Sequence, residues 1–191
     1  ATGTNNAAHL SADLLSQAEH DILASAVLVT DSRPLAEAVA VEVERQLKLL
    51  PREEIARSSI ENNGKIIVAD TLDQAIDIAN EIAPEHLELA VDNPFDHLSK
   101  IRNAGSIFLG KYCPEALGDY WAGPNHTLPT MGTARFSSPL SVDDFIKKSS
   151  FTYYTADALS AVADDIAAFA ESEGLRAHGR SVQIRFAKEG F

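Results

Sequence analysis

The sequence predicts an α/β protein, a mainly parallel sheet with helices on both faces, followed by a C-terminal helical tail. Three observations carry this prediction. Short β-branched runs alternate with segments of helical spacing through the first half of the chain, the pattern of strand, crossover helix and parallel strand. Glycine and proline then crowd a stretch with no period of either kind. Beyond it the chain turns alanine-rich and helical again.

Taken in order, Leu10, Leu14, Leu15, Ala18, Ile22 and Leu23 recur on one helical face, so a helix is expected from Leu10 to Leu23. Ala26 to Val29 reads as a strand, and Pro34 to Leu50 as a helix with proline near its start, where a missing N–H does least harm. Lys65 to Ala69 is a second strand. The helix after it, Thr71 to Ile82, opens with Thr71 and Gln74 at capping-box spacing. Leu87 to Val91 and Ser106 to Leu109 read as further strands around an amphipathic segment, Phe95 to Arg102. From Tyr112 to Pro139 no regular structure is expected. Tyr112, Tyr120, Trp121 and Phe136 nevertheless argue against disorder there, which makes the stretch a functional candidate. A short capped helix from Ser141 to Lys148, an extended piece from Phe151 to Tyr154, a long helix from Asp157 to Glu173 and a last one from Leu175 to Phe186 complete the expectation. The organisation expected is a variable tail or linker over 1–9, an α/β domain over 10–148 and a helical tail over 149–191.

Composition narrows the function. The 191 residues are 45% hydrophobic and 23% charged, the makeup of a globular chain long enough to bury a core. Sixteen Lys and Arg against 28 Asp and Glu give a net charge of -12, which repels nucleic-acid backbones and anionic membranes. No apolar run approaches the ~20 residues that span a bilayer. Cys113 is the single cysteine, so no intrachain disulfide is possible and the cytoplasm is the expected compartment. The opening Ala1 to Asn6 lacks the basic start and apolar run of a signal peptide and reads as a tail or a cut end.

Four local clusters hold groups able to do chemistry. Gln17 and His20 stand three residues apart on one face of the first expected helix, where they could reach a common ion; taken alone, a surface helix bearing polar groups is the favoured reading. In Ala83-Pro84-Glu85-His86-Leu87-Glu88, proline ends a helix and presents a carboxylate beside an imidazole at the start of a strand. Such a pair suits two proton transfers, although two exposed polar residues after a proline are at least as common. The run from Pro114 to Thr130 joins Asp119 and His126 to backbone-shaping glycines and prolines. Glu173 to His178 could be an ordinary solvated helix end.

Five segments resemble, in order, the histidinol dehydrogenase family: Gln17-Ala18-Glu19-His20-Asp21; Ala83 to Glu88; Asn103-Ala104-Gly105-Ser106-Ile107-Phe108; Gly118-Asp119-Tyr120 to Ala122-Gly123-Pro124-Asn125-His126; and Glu173 to His178. The resemblance covers roughly Ala12 to Arg185 and implies the C-terminal, zinc- and substrate-binding part of such an enzyme. The implied fold is an incomplete Rossmann-like one of the aldehyde-dehydrogenase-like (ALDH-like) superfamily. The implied function is NAD-linked oxidation of L-histidinol to L-histidine through the aldehyde, in histidine biosynthesis. Gln17, His20, Asp119 and His178 would hold zinc, with His178 crossing from the other subunit of a homodimer. Glu85 and His86 match the acid-base pair. Gln17, His20, His86, Asp119, His126, Glu173 and His178 match substrate-contacting positions, Glu173 again from the other subunit.

The family's chains are considerably longer, and the part without counterpart here lies N-terminal to the matched motifs and carries most of the NAD site. No NAD-binding residue is therefore assigned, and the chain alone is expected to reduce NAD very slowly or not at all. Two other readings stand beside this one: a related zinc-dependent dehydrogenase acting on a different alcohol, and a redox-inactive zinc- or ligand-binding fragment. His9 and His97 are expected to be solvated, and Cys113 to be a small packing residue.

Overall fold

A computed structural model describes residues 1–187, in two compact units, Ala1–Phe145 and the residues from Ile146 onward. The first is a mixed α/β body with small parallel sheets. Helix α1 (Ala7–Ala18) is followed by β1 (Val27–Thr30), α2 (Arg33–Leu47), α3 (Glu53–Asn63), β2 (Lys65–Val68), α4 (Leu72–Ile82), β3 (His86–Leu89), α5 (Phe95–Leu98), β4 (Ser106–Leu109) and α6 (Glu115–Tyr120).

The strands form two separate parallel pairs rather than one continuous sheet. β1 pairs with β2 in the register Val27 to Lys65, and β3 with β4 in the register His86 to Ser106. Helices α1, α2 and α3 pack together over β1, with Val39 and Leu47 of α2 fully buried at the centre of the core. Each such side chain contributes roughly 1.5–3 kcal/mol of burial.

Several boundaries differ from the sequence expectation, each for a local reason. α1 starts three residues early because the Asn6 side chain accepts the Ala8 N–H, and it stops at Ala18. The Asp21 carboxylate then accepts the Leu23 N–H, a turn that leaves Ile22 and Leu23 exposed instead of on the helical face. Helix α3 was not expected at all; polar throughout most of its length, it is tied by ion pairs from Arg57 to Glu53 and to Glu44 of α2. The stretch from Tyr112 to Pro139 contains α6 and a short 3-10 turn, Thr133–Arg135. Only Phe95–Leu98 of the amphipathic segment is helical, and the helix expected from Ser141 is a 3-10 turn, Val142–Phe145.

At α4 the capping expectation is met with a twist. Thr71 accepts the Gln74 N–H, while Gln74 reaches back to the Asp70 N–H rather than that of Thr71. From the same helix, buried Asn80 accepts the N–H groups of Arg102 and Asn103 and donates to the Lys100 carbonyl, which fixes the loop leading into β4. His97 is only partly exposed, and its Nδ1 is buried without a partner, contrary to the expected solvated role.

The second unit holds α7 (Ala156–Ser160), α8 (Ala163–Ser172) and α9 (Arg176–Gln183). The long helix expected from Asp157 is thus two helices, parted at Val162, whose φ of -119° and ψ of 5° leave the helical region. Phe151 to Tyr154 forms no strand. Gly174, at φ 72°, closes α8 in the left-handed conformation, with the Leu175 N–H bonded to the Ala170 carbonyl. Gly179 then lets α9 approach Ala167 of α8 closely.

Candidate active site

The site is built on the start of β3. α4 ends at Ala83, a non-glycine residue held at φ 51° and ψ 61°, and Pro84 prevents any return to helix. The chain leaves this corner extended. Glu85 and His86 are delivered to the sheet with the Glu85 carbonyl already accepting the Ser106 N–H. Because strand side chains alternate, His86 and Glu88 share one face of β3. Phe108 of β4 shares it too, its ring 5.9 Å from that of His86.

Over this face lies α6, one end of which is held by a side-chain bond: the Glu88 carboxyl accepts the Glu115 N–H at 2.8 Å. Gly118 makes the approach possible, since a Cβ there would stand 2.6 Å from the Phe108 ring. Gly118→Ala is accordingly expected to lift α6 and cost about 1–3 kcal/mol, the usual penalty of overpacking. Urea unfolding would register the loss, and an unchanged midpoint would show that the ring swings away freely.

With α6 in place, Glu115 and Asp119, four residues apart on one helical face, come down on His86. His86 Nε2 and Glu115 Oε1 are 3.9 Å apart, with side chains only 17% and 12% exposed. Ligating atoms of His86, Glu115 and Asp119 all lie within 4.8 Å of one another. Burial, the Asp119 carboxyl and the charge of Glu85 push the Glu115 carboxyl up to about 7. Glu88 is likewise pushed up to about 7, by burial first and then by the charge of Asp13 on α1. Burial also raises Asp13, which hydrogen-bonds to Glu88. Glu88 and Glu115 so arranged hold protons up to near neutrality, and the carboxyl cluster attracts a cation or a nitrogen base.

Beside them opens a cavity of about 560 Å³ lined by α1, β1, α4 and β3, with Gln17, Glu85, His86 and Glu115 in its wall. Not every candidate residue meets there. His20 is exposed on the turn beyond α1, where its carbonyl accepts a bond from Arg52. His126 is exposed in the loop after α6; Glu173 and His178 are exposed in the second unit. Sequence reading did not single out Asp13, Glu88 or Glu115 as working groups. Their signals were the i, i+4 spacings Asp13 to Gln17 and Glu115 to Asp119, and the two-residue step from His86 to Glu88.

The donor chemistry fits zinc or a similar divalent cation: one imidazole and two carboxylates, nitrogen and oxygen ligands of the kind zinc accepts. Of the four ligands implied by the resemblance, Asp119 belongs to this cluster and Gln17 lines the adjoining cavity.

The family model described as histidinol dehydrogenase matches residues 1–186. The chain belongs to the histidinol dehydrogenase family. Histidinol dehydrogenase of Geobacter metallireducens is 63% identical over 188 residues, 98% of this chain and 43% of the relative. That of Geobacter sulfurreducens is 64% identical over 183 residues, again 43% of its length. The crystal structure of histidinol dehydrogenase from Elizabethkingia anophelis superposes with a TM-score of 0.85 at 41% identity, over 97% of this chain and 43% of that one. The chain thus spans less than half the length of the histidinol dehydrogenases it matches.

Proposed function

We propose that these residues form the zinc- and substrate-binding part of a histidinol dehydrogenase, working in the NAD-linked, four-electron oxidation of L-histidinol to L-histidine through the aldehyde. The observation that carries this is His86, partly buried beside Glu85 and facing the carboxyls of Glu115 and Asp119 in the wall of a cavity of about 560 Å³.

In the proposed reaction His86 takes the substrate hydroxyl proton as hydride leaves for the first NAD. Glu85 then takes a proton from water as that water adds to the aldehyde carbon, and protonated His86 returns its proton to the former carbonyl oxygen, which makes the hydrate. Neutral again, His86 removes a hydroxyl proton of the hydrate as the second hydride departs for a second NAD, and the carboxylic acid so formed loses its remaining proton to solvent. When ionised, Glu115, 3.9 Å from the imidazole, stabilises the protonated form of His86. Gln17, His20, Asp119 and the partner subunit's His178 would hold zinc, which would supply positive charge to orient the substrate's nitrogens. His126 and the partner subunit's Glu173 complete the substrate contacts.

This reading includes a homodimer with shared sites, an NAD site mostly within the part of the relatives' length that this chain does not span, and a cytoplasmic setting. It also includes a Rossmann-like, ALDH-like fold for the whole. No helix among the described residues is long and apolar enough to cross a membrane. A redox-inactive zinc-binding fragment is the second reading, favoured by the 43% share of the relatives' length.

Metal analysis after gentle dialysis tests the ligand set. Wild-type chain is expected to retain about one zinc per site, and Asp119→Ala and His20→Ala chains markedly less. Equal loading of all three would remove the assignment.

A further inference from the structure

The three elements that carry Gln17, His86 and Asp119 are also tied to one another, one step away from those residues. On α1, Asp13 precedes Gln17 by four residues, so the two share a face one turn apart, ~6 Å. On β3, Glu88 lies two residues past His86, on the same face at ~6.6 Å. On α6, Glu115 precedes Asp119 by four. The tie runs through Asp13, Glu88 and Glu115: the Asp13 and Glu88 side chains are hydrogen-bonded to each other, and Glu88 Oε1 accepts the Glu115 N–H at 2.8 Å.

Neither Asp13 nor Glu88 has a part in the proposed proton transfers, yet both are half-buried close to the groups that do. Two acids facing each other often hold a fold together no better than apolar groups of the same shape. What they add is direction. α6 is six residues long and Pro114 before it makes no side-chain cap, so Glu88 is the acceptor that fixes the start of the helix against β3. Gly118 against Phe108 sets how closely α6 approaches; the Glu88 bond sets where along the strand it comes down. Asp13 in turn holds the Glu88 side chain in place and brings α1 to the same point.

We propose that Asp13 and Glu88 are positioning residues, a carboxyl joint between α1, β3 and α6 that sets the mutual placement of Gln17, His86 and Asp119. The joint itself stands on the contacts above; its service to zinc rests on the proposed function. Two carboxyl groups bond only through a proton held between them. Asp13→Asn or Glu88→Gln puts an amide N–H in place of that proton and keeps an oxygen at position 88 for the Glu115 N–H. Asp13→Leu and Glu88→Met match the shapes of the side chains and keep neither group.

The test compares the 191-residue chain with these four single variants and with the Asp13→Leu, Glu88→Met double variant. Replacing both partners by apolar groups of similar shape is expected to leave the urea midpoint of the double variant near that of wild type, which keeps the comparison among folded chains. In Glu88→Met the Glu115 amide is expected to exchange about tenfold faster, and in Glu88→Gln at about the wild-type rate. Zinc affinity, read by competition with a chelator, is expected to fall about 10- to 100-fold in Asp13→Leu, Glu88→Met and the double variant alike, the usual cost of removing a group that orients a ligand. Asp13→Asn and Glu88→Gln should stay within about threefold of wild type. Cobalt(II) in place of zinc should show a displaced visible absorption band in the three apolar variants and the wild-type band in the two amide variants, a readout that a loss of stability alone does not move. An unchanged Glu115 exchange rate in Glu88→Met would overturn the joint. So would zinc weakened as much by the amide variants as by the apolar ones, or a double variant whose cost is the full sum of the singles. Wild-type zinc affinity in the apolar variants, alongside faster exchange at Glu115, would overturn the positioning role. A wild-type chain that holds no zinc would count against the proposed function instead, and the exchange rates alone would then decide the joint.

Discussion

Replacing His86 by alanine is expected to lower NADH formation about 10²- to 10⁴-fold, the usual contribution of a positioned general base. The measurement requires a full-length setting, in which the chain is joined to the N-terminal portion of a relative and supplied with saturating histidinol and NAD. His86 is the imidazole in contact with the carboxyl cluster, and none of Glu85, Glu115 and Asp119 can replace it as a neutral nitrogen base. Turnover should fall much further than substrate affinity, because the proton transfer takes place in the transition state. A loss of less than about threefold would move the base elsewhere. The isolated 191-residue chain should form NADH very slowly by comparison, since orienting two reactants is worth several kcal/mol that proton transfer cannot supply.

Glu88→Gln should reverse part of the protein's pH sensitivity. The Glu88 carboxyl titrates near 7 in the folded protein, above its ordinary 4.5, so the folded state holds a proton that the unfolded chain has lost. Stability from this group is fully present below pH 4.5 and is lost as pH rises from there through 7. Glutamine removes that slope while keeping an oxygen for the Glu115 N–H and gaining an amide that can donate to Asp13. The substitution should therefore leave stability near pH 4 little changed and raise it at pH 8 by about 1–2 kcal/mol, allowing for solvent screening of a group that is not fully buried. Urea midpoints at the two pH values decide it. The same difference at both would show that protonation is not the cause.

Much of the first unit was legible because its elements announce themselves by period. β4 lies where its residues predicted, and α4 has the predicted Thr71 cap. α3 was missed because its apolar face is thin and its ties are ion pairs to a neighbouring helix, a tertiary matter. The break at Val162 has no visible local cause in the sequence, and nothing in the structure explains it. At the site, Glu85, His86 and Asp119 stood in local clusters that marked them as candidates, and the family resemblance supplied their roles. Asp13 and Glu88 did not, because what makes them unusual is burial against each other across 75 residues of sequence separation. His20, His126, Glu173 and His178 gain meaning only from the family, as their exposure in a single chain shows.

The corner at Ala83 and Pro84 has an evolutionary consequence. Strand period is two, so one residue inserted or deleted between that corner and Glu88 would turn every β3 side chain to the opposite face. Leucine would then confront Glu115 and Asp119, and the imidazole would point into the packing on the other side. A left-handed residue followed by proline admits few alternative paths, and the Glu85 carbonyl is already bonded to the facing strand. Length variation in this protein should therefore concentrate in exposed connections such as the one after α6, while the spacing from Ala83 to Glu88 stays fixed even where the residues themselves change.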